Sequence, residues 1–175
     1  MLIGMKRLLL PLLLFTSTLA LAVSKGFTYQ SLPWNSNESK TVAYLKNQGW
    51  DNVRVQGIVL NQIYGERQGG KGRDCQLVIS YARTGLDGVT IVCSYGPLTN
   101  EQTSGLYYDE RYNLSKKLGD PSFNSTTLQG GVPVAGWTRP GGSLWLTSQP
   151  GGRILWVYMS PSTSAESMAG LSRLR

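Results

Sequence analysis

Apolar and polar positions alternate most cleanly near the end of the chain, over Trp137 to Met159, WTRPGGSLWLTSQPGGRILWVYM. The stretch reads as two hairpins, with turns at Pro140-Gly141-Gly142 and Pro150-Gly151-Gly152 between short apolar strands. Strand side chains alternate faces, so Leu144 and Leu146 share one side and Trp145 and Thr147 the other. In the next strand Leu155, Val157 and Met159 oppose Ile154, Trp156 and Tyr158. The expectation is an aliphatic face suited to lie beneath a helix and an aromatic face carrying the tryptophans.

The same pattern gives the rest of the chain in coarser strokes. Residues 23 to 34 read as an extended lead-in ending at Leu32-Pro33-Trp34. Asn35 stands three residues before Glu38, a start resembling a capping box, and Gly49 offers a left-handed stop, so a helix is expected from about Ser36 to Gln48. Trp50 sits where an apolar residue folds back on the last helical turn. From Asn52 to Tyr64 the alternation predicts one long strand, bent or bulged at Gly57. Gly65 to Asp74 reads as a polar loop. Strands around Cys75 and Cys93 follow, and a second helix is signalled within Asn100 to Leu118. Its inner stripe is Tyr107, the stem of Arg111, Leu114 and Leu118, and Gly119-Asp120-Pro121 stops it. Residues 122 to 132 read as a loop before three strands near 133–139, 143–148 and 153–160.

The order is therefore helix, three strands, helix, three strands. Each helix covers one face of its sheet. The expected fold is α+β: an antiparallel sheet of about six strands with two helices on one face, as two αβββ units over about 33–96 and 97–160. Residues 161–175 form a small, polar tail with a basic end.

Composition changes this picture in three places. Lys6 and Arg7 precede an apolar run, Leu8 to Leu21, and Ala20-Leu21-Ala22 offers the small-x-small pattern of a signal-peptidase site, so residues 1–22 read as a signal peptide. The run falls short of the roughly 20 apolar residues of a membrane span. Export of a soluble protein, periplasmic or secreted, is the expectation. The remainder is about the size of one ordinary domain and carries a net charge of about +5. Such a balance suits loose contact with anionic cell-wall polymer, lipid or nucleic acid, but no run of like charge exists, so scattered charge on a basic domain is the ordinary account and nucleic acid is not the expected partner. Finally, two cysteines in an exported chain favour a disulfide. Placing Cys75 opposite Cys93 sets Leu77 against Ile91 and Ile79 against Val89, with the reversal near Arg83-Thr84-Gly85. Bridge and core then agree on one register.

The helix-then-meander order resembles the tandem folds of the beta-lactamase-inhibitory-protein type. Lys117-Leu118-Gly119-Asp120-Pro121, Gly136-Trp137 and Ile154 to Tyr158 are similar to the Leu-Gly-x-Pro stop and later tryptophan strand of small outer-membrane assembly lipoproteins. Leu32-Pro33-Trp34 before a capped helix also resembles many exported bacterial proteins. No cysteine follows the apolar run, so the lipoproteins' anchor has no attachment point here. In the inhibitor-like family the open sheet face carries aromatic contacts to a partner protein. The resemblance implies that role for Trp137, Trp145, Trp156 and Tyr158.

Catalytic constellations are thin. The chain has no histidine, so a cysteine or serine nucleophile lacks its usual base. Gly65 to Lys71 has the G-x-x-x-x-G-K spacing, but Gly72 stands where a phosphate loop needs Ser or Thr, and no helix begins there. Asp109 and Glu110 are adjacent on a helix and point about 100° apart, and Ser115-Lys116 lacks a glycine-shaped setting. Singly spread acids give no calcium pattern. No metal or other cofactor is expected, and the chain reads as non-enzymatic, with a hydrolase lacking histidine ranked behind the binding readings. The aromatics remain. Either the tail, the 122–132 loop or the lead-in folds over them as a second core, or they grip a protein partner in the cell envelope. A further alternative is an anionic cell-wall glycan, with Arg139, Arg153 and the basic loop Arg67, Lys71 and Arg73 supplying charge.

Overall fold

A computed structural model describes residues 28–56, 62–69, 73–82, 85–128 and 132–164. The signal-peptide expectation, most of the tail and Lys71 lie outside these residues. Helix α1 spans Glu38–Asn47, followed by strands β1 (Asp51–Gln56), β2 (Gln62–Gly69), β3 (Arg73–Ala82) and β4 (Gly85–Ser94). Helix α2 spans Asn100–Leu118 and leads into β5 (Phe123–Leu128), β6 (Val132–Arg139), β7 (Gly142–Gln149) and β8 (Arg153–Met159).

All eight strands form one antiparallel sheet in the order β1-β2-β3-β4-β8-β7-β6-β5. Each half is a helix followed by a four-stranded meander, and the halves join where β4 pairs with β8. The α+β class and the tandem plan stand, but the sheet has eight strands rather than six. The two additional strands occupy matching places, each the edge strand that follows its helix. The expected long strand over 52–64 is in fact β1 and the start of β2, running antiparallel with Val55 opposite Ile63. Most of the expected 65–74 loop is strand as well, since Gly65 pairs with Leu77 and Arg67 with Cys75. The 122–132 segment holds β5, with Phe123 opposite Gly136. Edge strand β5 and the polar end of β2 carry little apolar alternation for a periodicity reading to find.

Helix starts obey capping chemistry. The N-cap of α1 is Asn37, not Asn35, and its side chain accepts from the Lys40 N–H at 3.0 Å. α2 begins with a full capping box: Thr99 Oγ1 accepts from the Gln102 N–H, and Gln102 accepts from the Thr99 N–H. The expected inner stripe of α2 holds, with Tyr107 buried and Leu114 and Leu118 packed on the second core.

Two apolar cores lie on the same face of the sheet. Under α1, Leu45 packs with Trp50, Ile63, Leu77, Ile79 and Val89. Under α2, Tyr107 packs with Ala135, Trp137, Leu144, Leu146 and Ile154. The cysteine register is the one expected: Cys75 faces Cys93, Leu77 faces Ile91 and Ile79 faces Val89. Cys75 and Cys93 form a disulfide with Cα atoms 4.1 Å apart.

The lead-in is not simply extended. Tyr29–Ser31 form one 3-10 turn, with Gln30 and Ser31 at positive φ, and Tyr29 and Leu32 are buried. From there the chain crosses to the other half, where the Trp34 indole N–H donates to the Gly141 carbonyl at 2.9 Å. At the far end of the sheet Gly152 receives support from α2, its N–H donating to Thr103 Oγ1 at 3.1 Å. Gly152 has φ +75, and a Cβ there would sit 2.5 Å from the Gly96 carbonyl, so no other residue fits.

Candidate functional site

The expected aromatic face is corrected by hairpin register. Val157 lies opposite Trp145, while Trp156 lies opposite Leu146 and Tyr158 opposite Leu144. Leu144 in turn lies opposite Trp137. Trp137, Trp156 and Tyr158 therefore share the helix-covered face with Leu144 and Leu146. Trp145 alone looks to the other side. It is buried there, its indole lying over Gly136, where an added Cβ would come within 2.9 Å of the ring. Phe123 packs against it with centroids 5.5 Å apart. Trp137 is sealed beneath α2, and its indole N–H donates to the Gly119 carbonyl at 2.8 Å. Neither ring is presented as a contact surface.

The expected arginines also part company. Arg139 donates to the Leu118 carbonyl at 3.0 Å and so caps the end of α2. Arg153 is exposed at the start of β8, on the face away from the helices.

The remaining expected residues do meet. α1 packs on β1 and β2, and α2 packs on β6, β7 and β8. Between them a cleft of about 500 Å³ opens on the helix side. Its floor comes from the two joined strands and β3: Ile91, Trp156, Tyr158 and the Cys75–Cys93 bridge. Tyr29, Gln30 and Trp50 wall it on the α1 side, and Lys117 on the α2 side. Arg67 and Arg73 stand at the end of β2 and the start of β3. Trp156, Tyr158, Arg67 and Arg73 were expected from sequence. Tyr29, Trp50 and Lys117 were not assigned to a site. Trp50 was legible only as a helix-capping contact, Lys117 only as part of a helix stop, and Tyr29 gave no signal.

The walls are braced. The Trp50 indole N–H donates to the Tyr29 hydroxyl at 2.9 Å, and the Tyr29 and Tyr158 rings meet edge to face at 5.7 Å. Tyr44 donates to the Gln30 carbonyl, holding the left-handed turn in place. Backbone at positive φ in non-glycine residues is costly and persists where surrounding contacts fix it.

Charge in the cleft is one-sided. Arg67 and Lys117 are exposed, Arg73 is half-buried, and none of the three makes an ion pair among the described residues. Arg73 donates through one terminal nitrogen to the Tyr95 hydroxyl at 2.8 Å and lies over that ring. Its Nε–H is buried and meets no acceptor. Burial pushes the Tyr158 hydroxyl up to about 12, with Tyr29 adding to the effect. Burial also raises Tyr29, against the lowering influence of the Trp50 bond and the Arg67 charge. Both phenols stay neutral through the physiological range. Past Arg67 and Cys75 a neighbouring hollow turns acidic, with Asp51, Glu66 and Asp74 on its rim. The cleft thus offers rings, neutral hydroxyls and cations.

No family model, curated protein or solved structure matches this chain.

Proposed function

We propose that this chain is an exported, non-enzymatic binding module that recognises a cell-envelope partner in the cleft between its two helix-backed halves. The observation that carries the reading is the convergence of Trp156 and Tyr158 with Arg67, Arg73 and Lys117 in one open cleft. Half-buried rings beside cations that make no ion pair among the described residues supply both contact area and orientation. The cleft brings no histidine and no pair of carboxylates, so its chemistry favours recognition over reaction.

A protein partner on the opposite sheet face is the second reading, as the inhibitor-like resemblance implies. Half-buried Val92, Leu155 and Val157 on neighbouring strands favour it, since α1 and α2 both pack on the other face.

Retention on a cell-envelope fraction separates the two. With the cleft as the surface, Trp156→Ala and Arg67→Gln lower retention while Leu155→Thr leaves it unchanged. The reverse pattern transfers recognition to the open face, and loss in neither removes the proposal. Unfolding midpoints of the variants tell lost contact from lost fold.

A further inference from the structure

Resting on the reading of the cleft as the recognition surface, we infer that its ligand is an acid-bearing oligosaccharide, with the acid on Arg67 and Arg73 and a sugar ring on Trp156 and Tyr158. Arg73 points to the anion. One of its terminal nitrogens is spent on Tyr95 and its Nε–H has no acceptor. The guanidinium lines the cleft with exposed Arg67 and makes no ion pair among the described residues, so its charge is left for an acid held between the two arginines.

Three features favour a sugar chain over an acidic peptide. Trp156 and Tyr158 are half-buried in the floor, so each presents a face or edge and not a whole ring. That suits the flat C–H face of a pyranose. Tyr29 accepts from Trp50, which leaves its own O–H free to donate, and Tyr158 has no hydrogen-bond partner among the described residues. Two neutral hydroxyls, with the amide of Gln30 on the rim, match the alternating donors and acceptors of sugar hydroxyls. An extended acidic peptide would instead call on backbone partners from a sheet edge, and the sheet is interior here, with β3, β4 and β8 paired on both sides.

The test uses the folded chain with four probes of equal length: an oligouronate, a sugar-phosphate oligomer, a neutral oligosaccharide and an oligoglutamate. Binding is followed by intrinsic fluorescence and by the indole N–H resonances of Trp156 and Trp50. The inference expects the acidic sugars to shift Trp156, with an affinity that falls steeply as salt is raised. Arg73→Gln and Arg67→Gln, which leave the rings in place, each weaken it roughly tenfold. Whichever of uronate and sugar phosphate binds more tightly identifies the acid. Equal binding of the neutral sugar overturns the anion requirement while the cleft reading stands. Tighter binding of oligoglutamate makes the occupant an acidic peptide and overturns the sugar. If no probe moves Trp156, and Trp156→Ala keeps full retention on envelope, the inference and the cleft reading fall together.

Discussion

The two halves share a plan and differ in their cover. In the second half α2 runs 19 residues and packs on three strands, sealing Trp137 beneath it. In the first, α1 runs only 10 residues and reaches β1 and β2. There the lead-in, the disulfide and Trp50 do what the longer helix does elsewhere, and the floor over β3 and β4 stays partly open. A cleft forms where helical cover stops. The same architecture therefore yields a sealed core on one side of the β4–β8 seam and a lined hollow at the seam itself.

The comparison breaks most sharply at two tryptophans. Trp137→Ala removes a sealed ring and its bond to Gly119, and a loss of about 3–5 kcal/mol in unfolding free energy is expected. Trp156→Ala costs less stability, because its ring is half-buried, while its effect on binding is larger. Denaturant unfolding of both variants checks the order, and equal losses would mean that the cleft is core.

Next in size is the staple that only the first half possesses. Replacing Cys75 and Cys93 together by serine closes no loop in the unfolded chain and costs on the order of 3 kcal/mol. The loss belongs to β3 and β4, so hydrogen exchange rises there first and the amides of β6 and β7 keep their protection.

Gly136→Ala probes the opposite half on its other face. The new methyl meets the Trp145 ring at 2.9 Å, and overpacking of this kind costs about 1–3 kcal/mol. A thermal melt measures it, and Trp145 fluorescence shifts as the indole is pushed away.

The smallest effect is alkaline. The Tyr158 hydroxyl is raised from 10.0 to about 12, so below pH 10 it is protonated in both folded and unfolded chains. Above that the unfolded chain releases its proton first and stability falls as pH rises towards 12. Tyr158→Phe flattens this part of the profile. Tyr107, under α2 and likewise raised to about 12, contributes a matching fall from the sealed half. Stability measured between pH 9 and about 12 for the two phenylalanine variants shows whether the halves loosen alike.

Much of this arrangement is written locally in the chain. The limits of α2, its stripe, the glycine stops at Gly49 and Gly119 and the Cys75–Cys93 register follow from contacts between near neighbours, and each was legible. The face of each tryptophan was also encoded, in loop length. Pro140 and Gly141 make a two-residue reversal between β6 and β7, whereas Pro150, Gly151 and Gly152 make a three-residue one between β7 and β8. Side chains repeat with period two, so one residue more in a turn moves the facing strand's set to the other side. That extra glycine sends Trp156 to the face opposite Trp145.

What tertiary structure alone decided is the cleft. Tyr29, Trp50, Arg67, Arg73, Trp156 and Lys117 are scattered along nearly the whole described chain, and no local pattern ties them together. They meet because β4 pairs with β8, bringing the two meanders edge to edge, and because α1 reaches only β1 and β2. Local alternation says which way a side chain points. Only the pairing of distant strands says what it points at.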